Sequence, residues 1–320
     1  MASAFKFNQT IIITGGSQGL GLELARYHYS SEPDKIIVII SRSENKLIKA
    51  CNKITENNFR AFESLENLGK NSQIRLFYQP TDLSDYEQVE KLKPLLLKLP
   101  KIARTYLTAG GAYVKLFKDH TLKELQQGIN MNYSASLFLT HVLLQNNLCK
   151  HLCFFSSEVS FFPFIGYISY TPLKTSLKAL VNILRQEYPI VRISNIYPGN
   201  FASEGYIEEN LTKPDITKSI EGSSNPISVE ECRKIIISNL NKGYDDIVTD
   251  FIGWVLMSCD MGLNKNWNYS KFWILQLFLG LFANLLIVPF YMVYLNWDIK
   301  RYLKHSKQFD DKITQDNKKN

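Results

Sequence analysis

The sequence predicts an α/β fold: a doubly wound parallel sheet with a C-terminal membrane-associated apolar helical segment. Three observations predict it. Short β-branched runs alternate with helical stretches across residues 10–250. A glycine-rich turn joins the first of these runs to the first helix. Residues 272–297 then form a run of 26 residues without a charge.

Residues 10–14 (TIIIT) and 36–40 (IIVII) are apolar at nearly every position, as strands buried on both faces must be. Residues 19–30 between them carry a helical pattern. Further strands are predicted at 74–79, 105–108, 151–156, 191–197 and 247–250. Helices are predicted at 44–57, 85–98, 121–148, 169–188 and 228–241. Strands alternating with helices in this way build a parallel sheet with helices on both faces. The polar stretch 56–73 reads as an irregular surface insertion, and 199–227 as a polar, proline-containing loop. The chain divides into a nucleotide-binding domain at 1–263 and an anchoring segment at 264–320.

The 320 residues are 45% hydrophobic and 21% charged, which excludes a largely disordered chain. The formal charge is +7, but residues 264–320 hold nine Lys/Arg against four Asp/Glu. The rest is nearly balanced at 28 against 26, so the basic globular face of a nucleic-acid binder is absent. Five cysteines without CxxC spacing suit free thiols in a reducing compartment. The five histidines show no metal-ligand spacing, and no metal is expected. MASAFKFNQT holds no apolar run or small-residue cleavage site, so a cleaved signal peptide is not expected.

As a helix, residues 272–297 would reach about 39 Å, against roughly 30 Å for a hydrocarbon core. Trp273 lies near one end and Tyr291, Tyr294 and Trp297 near the other, as in an aromatic belt. Lys300, Arg301, Lys304 and Lys307 follow. Asn284 and Pro289 interrupt the run, which suggests a re-entrant or interfacial hairpin with both ends on one side. The shorter run 251–259 is suited to the interface.

The chemistry begins at Thr14–Gly21 (TGGSQGLG). Gly15, Gly19 and Gly21 permit a tight bend and let backbone N–H groups approach a dinucleotide pyrophosphate at a helix N-terminus. Ser17 and Gln18 lie in the same turn. The strand at 36–40 ends in Ser41, Arg42 and Ser43 rather than in a carboxylate. A carboxylate would repel a ribose 2′-phosphate, whereas Arg42 can pair with one, so NADPH is the expected cofactor.

A second cluster lies further on. Tyr170 and Lys174 are four apart and share a helix face, with Pro172 tolerated in the first turn. An ammonium beside a phenol would draw its pKa down from about 10, making Tyr170 a usable general acid. Ser157, just after strand 151–156, could bind a carbonyl oxygen.

With these residues the chain resembles the short-chain dehydrogenases/reductases over 10–250, a Rossmann-type family. The resemblance implies cofactor roles for Gly15, Gly19, Gly21, Gly110, Pro198 and Ser203, and for Asp82 near the adenine. It implies catalytic roles for Ser157, Tyr170 and Lys174, with Asn132 holding a proton-relay water and Lys174 also holding the nicotinamide ribose. One departure is Leu107–Thr108–Ala109–Gly110, where the family usually has Asn-Asn-Ala-Gly. Thr108 must therefore support the central sheet differently.

More narrowly, ITGGSQGLG, ISRS, FSSEVSFFPFIGYISYTPLK, IYPGNFASEG and VTDFIGWVLM resemble the fungal 3-ketodihydrosphingosine reductases. That implies NADPH-dependent reduction of 3-ketodihydrosphingosine to dihydrosphingosine. It also implies the endoplasmic reticulum membrane, with the catalytic domain facing the cytosol. The family further allows a homodimer through helices 121–148 and 169–188. The apolar residues Phe201, Tyr206, Ile207, Leu211, Ile216 and Ile220 either cover an alkyl chain or pack on the core. A sphingoid amine calls for a carboxylate, with Glu204, Glu208 and Glu209 as candidates by position. The rival readings are a reductase of another lipid ketone, such as a steroid or retinoid, and a non-catalytic membrane scaffold.

Overall fold

The computed structural model describes residues 7–222, 225–260 and 269–316. The predicted domain boundary at 263 lies outside the described residues.

An eight-stranded parallel sheet forms the centre, in the order β10-β7-β6-β5-β1-β2-β4-β3. Its strands are β1 (Gln9–Thr14), β2 (Lys35–Ser41), β3 (Phe62–Ser64), β4 (Leu76–Pro80), β5 (Ile102–Leu107), β6 (His151–Phe155), β7 (Arg192–Tyr197) and β10 (Asp246–Val248). A separate two-residue pair joins β8 (Phe201–Ala202) to β9 (Ile227–Ser228). Strand order reverses beside β1, so a crevice opens at the carboxyl ends of β1 and β5.

Alternation along the strands divides the core into two layers. Ile12 of β1 points to one face, with Leu139, Leu143, Leu177 and Val181. Ile11 and Ile13 point to the other, with Leu24, Leu47, Ile236 and Leu240. The first face is covered by α3 (Tyr86–Lys98), α5 (Ala135–Gln145) and α6 (Thr171–Glu187). The second is covered by α1 (Gly19–Ser31), α2 (Glu44–Ile54) and α9 (Val229–Asn241).

The polar stretch 56–73 is not wholly irregular. Phe62–Ser64 pairs in parallel with β4 as an edge strand, and Phe62 and Leu65 are buried. Three residues are too few to show an alternating pattern. The predicted helix 121–148 is broken in two. A π-helical turn, Asn130–Ser134, separates α4 (Leu122–Ile129) from α5. The loop 199–227 contains α7 (Glu204–Thr212) and α8 (Asp215–Glu221).

The apolar C-terminus forms α11 (Trp273–Leu286) and α12 (Val288–Asp316). They bend by 52° across the break at Ile287. No single helix among the described residues is long and apolar enough to cross a membrane, although the bent pair passes together by length and composition. Pro289 sits in the first turn of α12, where its missing N–H costs nothing. Polar groups fasten α11 to α10 (Phe251–Cys259). Asn284 donates to the Cys259 carbonyl at 2.8 Å, and the fully buried Gln276 donates to the Trp254 carbonyl at 3.4 Å.

Candidate active site

The crevice is a cleft of 1540 Å³. At one end the glycine turn runs under it. Gly15 (φ 62°) and Gly19 (φ 54°) occupy the left-handed region that favours glycine. A Cβ on Gly15 would stand 3.0 Å from the Ala109 backbone, and one on Gly21 would stand 2.5 Å from the Gly15 carbonyl oxygen. Gln18 caps α1 without a side-chain hydrogen bond, so the helix presents its first N–H groups to the cleft. That geometry suits a pyrophosphate. Ser17, Gln18, Arg42 and Asp82 all line this end. Asp82 accepts from the Ser84 N–H at 3.0 Å and from its hydroxyl at 2.7 Å.

Thr108 answers for the missing asparagine. Its hydroxyl donates to the Thr14 carbonyl, and the Thr14 hydroxyl accepts from the Ala109 N–H at 3.2 Å. The ends of β1 and β5 are thus tied across the crevice by two hydroxyls.

At the other end Ser157, Tyr170 and Lys174 come together. Ser157 follows β6, Tyr170 caps α6, and Lys174 lies one turn into α6. Ser157 and Tyr170 line the same end of the cleft, and the Ser157 hydroxyl lies close enough to oppose part of the rise in the Tyr170 pKa. Lys174 is buried, 5.4 Å from the Tyr170 ring centroid, and donates to the Phe155 carbonyl at 2.8 Å. Burial draws its ammonium down to about 7.

This corrects the expected effect of Lys174 on the phenol. Tyr170 is pushed upward, first by its own burial and then by the negative charge of Glu209. An ammonium that desolvation half-discharges near neutrality cannot hold a buried phenol down. Tyr170 is therefore a protonated donor over the whole neutral range.

Residues 9–213 match the family described as short chain dehydrogenase. The chain belongs to that family. Within it, the dehydrogenase groups with yeast 3-ketodihydrosphingosine reductases. It is 45% identical to that of Kluyveromyces lactis over 304 residues, covering 93% of this chain and 96% of the relative. It is 42% identical to that of Saccharomyces cerevisiae over 310 residues, again covering 93% and 96%. A solved short-chain dehydrogenase from Sphingobium yanoikuyae in complex with NADPH has the same fold (TM-score 0.61, 16% identity, 82% of this chain and 100% of that one). So does an alcohol dehydrogenase from Thermococcus sibiricus complexed with 5-hydroxy-NADP (TM-score 0.58, 20% identity, 75% and 95%).

Asn132 of the dehydrogenase is fully buried in the π-helical turn. Its amide donates to the carbonyls of Gly111 (2.8 Å) and Gly128 (3.2 Å) and accepts from the Gly111 N–H (3.1 Å). The side chain thus occupies the carbonyl four residues back, a competition that loosens a helix locally. Asn132 pins the Gly110–Gly111 loop beside Lys174. A Cβ on Gly110 would lie 2.9 Å from Asn132 Oδ1 and 3.0 Å from Lys174 Nζ.

The Pro198 carbonyl accepts from the Ser157 hydroxyl (3.5 Å) and the Glu158 N–H (3.3 Å). Ser203 caps α7, accepting from the Tyr206 N–H at 3.2 Å, and its Cβ comes within 3.6 Å of where a Cβ on Gly19 would be. The loop therefore folds back onto the glycine turn. Phe201, Tyr206 and Ile220 line the cleft, Ile216 packs into the core, and Ile207 and Leu211 are exposed.

Of the carboxylates expected to meet an amine, Glu209 is engaged by the Tyr167 hydroxyl and by Lys213 at 3.0 Å. Glu208 lines the cleft on its exposed side, and Glu204 stands beside Gly19. Sequence reasoning missed three features. Lys46 donates to Gln18 Oε1 at 3.3 Å and adds a second cation beside Arg42. Glu158 and Asp250 flank the catalytic end. The C-terminal helices wall the mouth, where Tyr291 packs on Phe162 at 5.8 Å and Asn284, Val288 and Met292 join the lining. Lys46 follows Arg42 by four residues and Glu158 adjoins Ser157, so two of the three signals lay close to residues already identified.

Proposed function

We propose that this short-chain dehydrogenase reduces 3-ketodihydrosphingosine to dihydrosphingosine with NADPH. The observation that carries the reading is the convergence of Ser157, Tyr170 and Lys174 at one end of a cleft whose other end is built for a dinucleotide. The yeast reductases, similar along nearly their whole length, supply the substrate class.

The glycine turn and the open N-terminus of α1 suit the pyrophosphate, and Arg42 with Lys46 suits a 2′-phosphate, with no carboxylate closing the end of β2. When bound, the nicotinamide supplies the hydride that reduces the ketone. Tyr170 gives its proton to the ketone oxygen, and Ser157 orients that oxygen through its own hydroxyl. Lys174, near its midpoint at neutral pH, can pass a proton toward the emptied phenol. The aromatic cluster of Phe162, Phe164, Tyr167 and Tyr291 suits an alkyl chain at the mouth.

The reading includes attachment to the endoplasmic reticulum membrane with the cleft on the cytosolic side. Supporting it, Phe278, Leu281 and Leu285 of α11 and Phe290 and Val293 of α12 are exposed, and Lys300, Arg301 and Lys304 follow. An interfacial lie of α11, with the same segment walling the cleft, would let a lipid enter from the bilayer.

The test is NADPH oxidation by purified protein in detergent, with 3-ketodihydrosphingosine and a steroid ketone as substrates and NADH as comparator. Turnover of the sphingoid ketone with a preference for NADPH is expected. Turnover of the steroid alone would keep the mechanism and replace the substrate. Cofactor binding without turnover of either would favour the scaffold.

A further inference from the structure

Unlike a steroid ketone, the sphingoid ketone carries a primary amine on the carbon next to the carbonyl, a charge that the site must accommodate. Whatever binds that ammonium stands beside the groups that bind the oxygen. Glu158 follows Ser157 directly, and its carboxyl lies in the same cleft. Its Oε1 is sealed from solvent and has no hydrogen-bond partner among the described residues. Two glycines make room for this carboxyl. A Cβ on Gly253 would stand 2.0 Å from Glu158 Oε1, and a Cβ on Gly199 would stand 2.9 Å from Oε2 and 2.2 Å from Asp250 Oδ2. Asp250 caps α10 through its other oxygen, Oδ1, which accepts from the Gly253 N–H at 2.8 Å.

Two carboxyls side by side in a buried setting cannot both ionise cheaply, and an arriving cation removes that cost. We infer that Glu158, with Asp250 behind it, receives the ammonium of the substrate and so selects α-amino ketones over plain ketones. The inference rests on the reductase reading above and names the group that sets its specificity. In the free protein, burial and the Asp250 charge push the Glu158 carboxyl up to about 9. At neutral pH an arriving ammonium therefore displaces the carboxyl proton to solvent. No covalent change is involved.

The test compares kcat/KM for 3-ketodihydrosphingosine and for the same ketone with hydrogen in place of the amine. The proteins are the full chain, Glu158→Gln and Asp250→Asn; Asn preserves the helix cap. The unaltered protein should prefer the amine. In Glu158→Gln that preference should fall about tenfold or more, mainly through KM for the amino ketone, as loss of a charge-assisted contact requires. Asp250→Asn should show a smaller fall in the same direction. Calorimetric titration of the NADPH-loaded protein with dihydrosphingosine, in two buffers of different ionisation enthalpy near pH 7, should show release of about one proton, absent in Glu158→Gln. Equal losses on both ketones, or an unchanged preference, would overturn the assignment while leaving the reductase reading intact. Failure of the unaltered protein to reduce the amino ketone would overturn both.

Discussion

Charged groups are buried at both ends of the central sheet, and the two ends treat them differently. Below, across β5, β6, β7 and β10, the charged groups are joined in one network. Arg104 donates to Tyr106 Oη (2.8 Å) and to His151 Nδ1 (3.1 Å). His151 Nε2 meets Ser194 Oγ at 2.7 Å, and Ser194 donates to Asp245, which also takes Arg192 at 2.7 Å. His28 joins Tyr106 Oη (2.9 Å) to Glu32 (2.5 Å). Above, at the catalytic edge, Glu158 faces a second carboxyl, Asp250, and burial draws the Lys174 ammonium down to about 7. The same desolvation cost is met below by closure and left open above for a ligand to complete. A closed network serves stability, and an open one serves binding and proton transfer.

The sharpest way to break this comparison is at Tyr170. Tyr170→Phe should lower kcat by about 10²–10⁴-fold with NADPH binding retained, read by steady-state turnover and nicotinamide fluorescence. Turnover within tenfold of the parent would remove Tyr170 from the donor role.

The lower network predicts the reverse pattern, a stability loss without a catalytic one. Arg104→Met strips donors from buried Tyr106 and His151 and should cost about 2–4 kcal/mol in urea unfolding. Burial, with Arg104 and Arg192 nearby, holds His151 down to about 2. Its folded pKa lies below the unfolded value, so the unfolded chain binds the extra proton. This contribution is therefore complete above about pH 6.5 and is lost as pH falls toward 2. The urea midpoint should drop through that window, less steeply in Arg104→Met.

At the cofactor end, Arg42→Ala should raise KM for NADPH about tenfold and leave NADH nearly unaffected, with Lys46→Ala compounding the loss. Equal effects on both cofactors would deny Arg42 its phosphate.

A further pH profile concerns Glu158 in the free protein. Its folded pKa, about 9, lies above the carboxyl's ordinary 4.5, so stability falls as pH rises between those values. Glu158→Gln should flatten that part of the profile, read as melting temperature against pH.

Much of this was legible in the chain itself. The all-apolar runs of β1 and β2 announced strands buried on both faces, and the glycine turn between β1 and α1 announced the nucleotide end. Tyr170 and Lys174 were legible because one helical turn fixes their relation. What escaped was set by contacts distant in sequence. Phe62 joins the sheet only because β4 offers an edge, and three residues carry no readable period. The π-helical turn accompanies an Asn132 whose side chain takes the Gly128 carbonyl and the Gly111 loop, a contact distant in sequence. The upward shift of Tyr170 follows from burial, which a YxxxK spacing does not contain. Asn284 looked like an interruption of an apolar run, and it is the residue that ties α11 to Cys259.

The most direct measurement follows the hydride itself. Purified protein would be given 3-ketodihydrosphingosine and NADPH deuterated at the transferring carbon, and the product would be read by mass spectrometry. The account predicts dihydrosphingosine carrying one deuterium on its new carbinol carbon, formed by the parent and hardly at all by Tyr170→Phe. Product without deuterium, or no product while a steroid ketone is reduced, would contradict it.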